Sequence, residues 1–280
     1  MTDTFQRSCA HWSEAGRAEM DRFYALASVD YRHLAEAIDW KNWFEERQKV
    51  VGQRNLKLLD VACGSGKFPS ALKQFGRLSE ASILPVEYSL LDPSAFSISE
   101  ARKALFPPFH CSAEFEMTLQ ALACEPGAFD IVWATHALYA VPKEEVQAAL
   151  ERFVFALDGA GFIAHATCNS HYLRFYRHYI NGFKDGAGVP FTSAELIAET
   201  LKTMGVDFKV KQISYQNTAL ENASEQVEGY LQRCIFDDTI GLEAMLKSPV
   251  TGPYLKGCLQ NGIWRFDQQV MLFFITVAGT

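Results

Sequence analysis

Apolar positions change their period more than once along the 280-residue chain. In residues 1–50, Trp12, Phe23, Leu26, Leu34, Ile38 and Trp40 recur at roughly helical spacing among charges, with almost no Gly or Pro, which predicts helices. Leu56 to Val61 is an apolar, strand-like run that enters a Gly-rich turn, and residues 67–76 return to a helical pattern. Strand and helix then alternate. Ile83 to Leu91 predicts a strand, and Pro93 to Leu105 a helix opened by Asp92-Pro93-Ser94. Phe109 to Cys111 is a short strand, Phe129 to Ala134 a strong one, Lys143 to Leu157 an amphipathic helix and Gly161 to Thr167 a further strand. Five strands alternating with helices predict an α/β fold with a doubly wound, mostly parallel sheet.

The remainder follows another rhythm. Thr192 to Met204 is helical, with Thr192 or Ser193 as cap and Glu195 placed for a capping box. Phe208 to Tyr215 alternates as a strand does. Residues 222–260 are helical but broken at Pro249, Gly252 and Pro253, and Trp264 to Val277 forms a closing strand. No stretch is rich enough in Gly, Ser or Pro to mark a domain boundary.

Composition narrows the function classes. The 26 Lys and Arg against 33 Asp and Glu leave a net charge of −7, which lacks the overall electrostatic signature of a nucleic-acid binder. The longest apolar run, Val270 to Ala278, is too short to span a bilayer, and the opening MTDTFQRSC holds no apolar signal segment. Seven scattered cysteines without a CxxC pair fit reduced thiols in a cytoplasmic protein. His165, His171 and His178 are spaced as no standard metal motif is, so no metal is expected.

The sharpest local feature is LLDVACGSGKF, residues 58–68. A buried strand delivers Asp60, Gly64 and Gly66 allow close backbone approach to a ligand, and a helix starts behind them. The dinucleotide fingerprint fails because Pro69 stands at its third glycine, and a P-loop fails because Phe68 follows Lys67. A tight turn without a ligand is the bland alternative. Asp92 sits at the end of the second predicted strand, where the local reading is a helix N-cap before Pro93.

Asp60-Val61-Ala62-Cys63-Gly64-Ser65-Gly66 resembles motif I of class I S-adenosylmethionine-dependent methyltransferases, with Ala62 where the first glycine often stands. That resemblance implies a Rossmann-like seven-stranded sheet and S-adenosylmethionine as cofactor. It implies cofactor contacts from Asp60, Ala62, Gly64, Ser65 and Gly66, a ribose-binding role for Asp92 beside Pro93, an adenine contact from Glu114, and a wall at Thr135.

The segment Phe129 to Val141 resembles the fourth-strand region of the histamine N-methyltransferase family, Asp92-Pro93-Ser94-Ala95 resembles its Glu-Pro-Ser-Ala, and Arg265 to Ile275 resembles its closing strand. The likeness runs from about residue 56 onward. It implies an acceptor pocket with Asp30, His136 (a glutamine in the family), Tyr139 and Gln268 (at or beside a family asparagine). Tyr172 and Tyr176 take the spacing of two family tryptophans, and Phe183 joins the aromatic lining.

Together these readings give a methyltransferase for a small molecule. Residues 1–50 form a helical lid, and residues 51–280 the methyltransferase domain, with covering segments at about 168–205 and 217–262. N-methylation of a small amine leads, with His136 and Tyr139 as catalytic groups. C- or O-methylation of an α-keto acid or enol, with His136 as base, stands second. An inactive methyltransferase-like scaffold is the alternative of another class.

Overall fold

The computed structural model describes residues 3–277. Three helices lead: α1 (Asp3–His11), α2 (Arg17–Glu36) and α3 (Trp40–Val51). The alternating core follows as β1 (Leu56–Val61), α4 (Lys67–Phe75), β2 (Val86–Leu91), α5 (Ala95–Ala104), β3 (Phe109–Phe115), β4 (Phe129–Thr135), α6 (Val146–Ala156) and β5 (Leu157–Ala166). Then come α7 (His171–Phe183), α8 (Ala194–Thr203), β6 (Phe208–Leu220), α9 (Ser224–Ile235), α10 (Leu242–Lys247), α11 (Thr251–Cys258), β7 (Leu259–Gln260) and β8 (Ile263–Thr276).

The strands lie in the order β3-β2-β1-β4-β5-β8-β6, all parallel except β8, which runs antiparallel between β5 and β6. The expected seven strands are there. An eighth, the two-residue β7, folds back on β8 through Asn261-Gly262, both at positive φ (53° and 75°) as a tight hairpin turn requires.

Alternation along the buried strands sorts side chains between two faces. Leu58 of β1 packs with Trp40 and Phe44 of α3 and Phe68 of α4, while its neighbour Leu59 packs with Leu150 and Phe153 of α6 and Ile197 of α8. Two expectations change here. α3 belongs to the sheet's helical layer, not to a lid, because its Trp40 and Phe44 are fully buried against the strands. α8 lies with α6 on the opposite face, not over the sheet's carboxyl edge, and residues 217–220 complete β6. Ser193 caps α8 by accepting from Leu196 N, while the Glu195 carboxylate accepts from Cys168 N and ties down the loop after β5.

A third cluster covers the carboxyl edge. Tyr24 and Ala27 of α2 meet Tyr172 and Tyr176 of α7, Tyr230 and Leu231 of α9, and Trp264 and Phe266 from the start of β8. β6 and β8 are long enough to leave the sheet and enter this lobe, which couples it to the core.

Candidate active site

The sheet order reverses between β1 and β4, where crossovers depart to opposite sides and a crevice opens at the carboxyl edge. Each strand is followed at once by a residue with positive φ, Ala62 (50°) after β1 and His136 (54°) after β4, so each chain turns away sharply and leaves the crevice clear. After β1 the turn is held by Cys63 N donating to Leu91 O (3.0 Å) and Gly64 N donating to Asp92 Oδ2 (3.0 Å).

The two glycines do different work. A Cβ on Gly64 (φ 52°) would meet nothing within 4 Å, so this turn offers bare backbone to the cleft. A Cβ on Gly66 (φ 70°) would stand 2.6 Å from Ala104 Cβ and 2.9 Å from Ala101 Cα. Gly66 is therefore needed for α4 to pack on α5, and it does not line the cleft. Ala62, Cys63, Gly64, Asp92, Pro93 and Thr135 do.

Asp92 is buried. Its Oδ1 accepts from Ser94 N (2.9 Å) and its Oδ2 from Gly64 N, which leaves lone pairs on both oxygens. Burial pushes its carboxyl up to about 6, against those two bonds, which favour the charged form. The N-cap of α5 is Ser94, whose Oγ accepts from Ser97 N, so Asp92 is free of that duty.

Three expected cofactor contacts lie elsewhere. The Asp60 side chain alternates away from the cleft into the core, where Tyr88 Oη donates to it (2.6 Å) and burial raises it to about 7 against that bond. Ser65 is buried and does not line the cleft. Glu114 falls inside β3, four residues longer than expected, and pairs with Arg102 of α5 (3.1 Å) on the exposed side. The lining after β3 comes from Thr118, Leu119 and Gln120, which no sequence pattern singled out.

α1 roofs the cleft with Phe5, Ser8 and Cys9, joined by Trp12 just after the helix. Ser94 Oγ donates to Trp12 O (2.5 Å), Arg233 of α9 donates to His11 O and Gly16 O, and Arg7 donates to the hydroxyls of Tyr176 (2.9 Å) and Tyr179 (3.2 Å).

Past Tyr31, His136 and Ala140 the cleft continues into an inner pocket. Phe23, Tyr139, Tyr172, Phe191 and Phe236 give it aromatic walls, and Asp30 and Arg233 place charged groups in them. Asp30 is 3% exposed. Its Oδ1 accepts from Asn217 Nδ2 (2.8 Å) and its Oδ2 from the Tyr172 hydroxyl. Burial pushes Asp30 up to about 7, with the Tyr172 and Asn217 bonds opposing.

His136 stands in the wall shared by cleft and pocket. Its Nδ1 lies 2.6 Å from Tyr139 Oη, while its buried Nε2 has no hydrogen-bond partner. Burial holds the imidazole down to about 3, and His165 adds to the effect, so the ring is neutral at physiological pH.

Asp30, His136, Tyr139 and Tyr172 thus converge as expected, and three other residues do not. Tyr176 stacks on Phe191 (3.7 Å, 4° between planes) and anchors α1. Phe183 packs on Tyr179 outside the pocket. Gln268 lies behind the wall, bonded to Asn217 and Tyr230. The residues missed from sequence, Tyr31, Phe191 and Arg233, sit on three elements far apart in the chain. Among the described residues, no group of three or more His, Cys, Asp or Glu is placed to hold a metal ion, and no helix is long and apolar enough to cross a membrane.

A bare-backbone turn beside a buried carboxylate with open lone pairs, at the switch point of the sheet, fits the amino-acid and ribose parts of S-adenosylmethionine. Residues 58–161 match the family model described as a methyltransferase domain. No curated protein matches the chain in sequence. Among solved structures, magnesium protoporphyrin IX methyltransferase from Synechocystis, with bound S-adenosylhomocysteine, is 12% identical, covers 98% of this chain and 100% of its own, and superposes with a TM-score of 0.56. The YcgJ protein of Bacillus subtilis is 14% identical over 86% of this chain and 99% of its own, at a TM-score of 0.51. These likenesses carry the fold, and the matched domain carries the chemistry. The methyltransferase domain at residues 58–161, set in this fold, supports an S-adenosylmethionine-dependent methyltransferase.

Proposed function

We propose that this enzyme methylates the nitrogen of a small amine held in the inner pocket. The observation that carries the reading is the buried Asp30 carboxylate in an aromatic-walled pocket continuous with the cofactor cleft. Aromatic faces and a carboxylate attract an ammonium, and they exclude water from a sulfonium. In this reading Asp92 holds the ribose diol and the Ala62–Gly64 turn lies along the amino-acid part of the cofactor.

When bound, the cofactor supplies an electrophilic methyl on a good leaving group. The chain's own residues have to orient the amine and take its proton, since only a neutral amine presents a lone pair. Asp30 suits that second task, because its proton affinity lies near neutrality. His136 does not, because an imidazole held down to about 3 takes no proton at neutral pH. His136 therefore orients, through its contact with Tyr139, and does not serve as the base expected of it for an acidic carbon or oxygen acceptor.

The test is release of S-adenosylhomocysteine across a panel of small amines, α-keto acids and phenols. Turnover is expected with amines, with a rate that falls as pH drops below the neutral range. Turnover confined to keto acids or phenols would overturn the reading.

A further inference from the structure

Behind the pocket wall lies a buried polar chain, Ser170, Gln268 and Asn217, that lines neither the cleft nor the inner pocket. Ser170, at the N-cap of α7, donates its hydroxyl to Gln268 Oε1. Gln268 Nε2 donates to Asn217 Oδ1 (3.0 Å) and to Tyr230 Oη (3.0 Å). Asn217 Nδ2 donates to Leu26 O (3.1 Å) and to Asp30 Oδ1 (2.8 Å). Asn217 is fully buried and Gln268 nearly so.

The direction of this chain is fixed. All four amide hydrogens have an acceptor, and both amide oxygens have a donor. Turning the Asn217 amide over would set its oxygen against the Leu26 carbonyl and the Asp30 carboxylate, with nothing to offset the repulsion. Every link therefore points its donor toward Asp30. The other Asp30 oxygen accepts from Tyr172, two residues beyond Ser170 on the same helix. The start of α7 thus holds the carboxylate from both sides.

We propose that Asn217 is a positioning residue for methyl transfer: locked by Gln268 and Ser170, it fixes the Asp30 carboxylate in the pocket and sets how readily that carboxylate takes the acceptor's proton. The proposal rests on the amine reading given above. The groups facing Asp30 leave Asn217 as the tunable partner. Tyr31 on its own helix, Tyr139 after β4, Tyr172 of α7, Tyr215 of β6, and Tyr230 and Cys234 of α9 are all raised by burial and stay neutral through the neutral range. His136 in the same pocket is neutral too, and Arg233 of α9 keeps its charge at every relevant pH.

The experiment is a carbon-13 NMR titration of aspartate carboxyls in the full chain with S-adenosylhomocysteine present, the Asp30 signal being identified by its loss in Asp30→Asn. Asn217→Ala removes a donor to the charged form, so the Asp30 midpoint is expected to rise by about one pH unit. Ser170→Ala, at the far end of the chain and making no capping bond of its own, is expected to move it the same way by less. An unchanged midpoint in folded Asn217→Ala, or, if that variant does not fold, in Ser170→Ala, overturns the proposal. The titration uses no acceptor, so a failure of the amine reading would appear in the turnover panel and leave this result standing.

Discussion

The cofactor cleft and the inner pocket share a wall at His136 but are built in opposite ways. The cleft takes its floor from turns at strand ends, after β1, between β2 and α5 and after β4, under a roof from the N-terminal helix. The pocket is made of side chains from α1, α2, α7, α9 and the loops after β4 and α7, brought together by the packing of a whole lobe. A cofactor common to many enzymes can be met by a fixed backbone turn. An acceptor peculiar to one enzyme needs walls that can change without moving the sheet.

That contrast can be broken first at Gly66. A side chain there collides with Ala101 and Ala104 of α5, besides adopting a left-handed backbone. Gly66→Val is expected to abolish cofactor binding by displacing α5 and Asp92 with it, and to lower the melting temperature even without ligand. Normal binding in calorimetry would show that the turn tolerates what the geometry forbids.

The shared wall gives the next largest effect. His136→Ala leaves Tyr139 without its partner and the acceptor unguided, and misplacement of that kind costs on the order of 100-fold in turnover. His136→Gln restores a polar contact and is expected to stay within about tenfold of wild type, with S-adenosylmethionine affinity preserved in both. If Gln proves as poor as Ala, His136 carries a proton after all.

The smallest effect lies at Ala62, where a β-carbon sits in left-handed backbone (φ 50°) at a cost of ~1 kcal/mol. Ala62→Gly relieves that strain, partly offset by the greater freedom of glycine when unfolded. A gain in melting temperature of at most a few degrees is expected in thermal denaturation. A clear loss would mean that the Ala62 methyl packs usefully in the cleft.

The same division explains what could be read from the sequence. β1 was legible to the residue because its apolar run is bounded by a turn, and the sheet followed from strand–helix alternation. Asp92 was legible because its place depends on local chain order. Asp60 was misread because a period-2 strand sends neighbouring side chains to opposite faces, and the sequence does not say which face meets the ligand. Glu114 was misread because the polar residues of edge strand β3 hid its true length. Asn261-Gly262 announces the β7–β8 hairpin and went unused. In the pocket, Asp30 and Tyr172 were reached by resemblance alone. Phe191 and Arg233 carry no local signal, since their role exists only once α7 and α9 fold over the sheet.

The central claim is that two buried carboxylates divide the work, Asp92 for the cofactor and Asp30 for the acceptor. Calorimetric titration of S-adenosylmethionine into Asp92→Ala and Asp30→Asn tests it most directly. Losing the charged hydrogen bonds of Asp92, worth ~1.5–3 kcal/mol, should weaken cofactor binding roughly ten- to a hundred-fold. Asp30→Asn should bind the cofactor as wild type does. Equal losses in the two variants, or none in Asp92→Ala, would contradict the division.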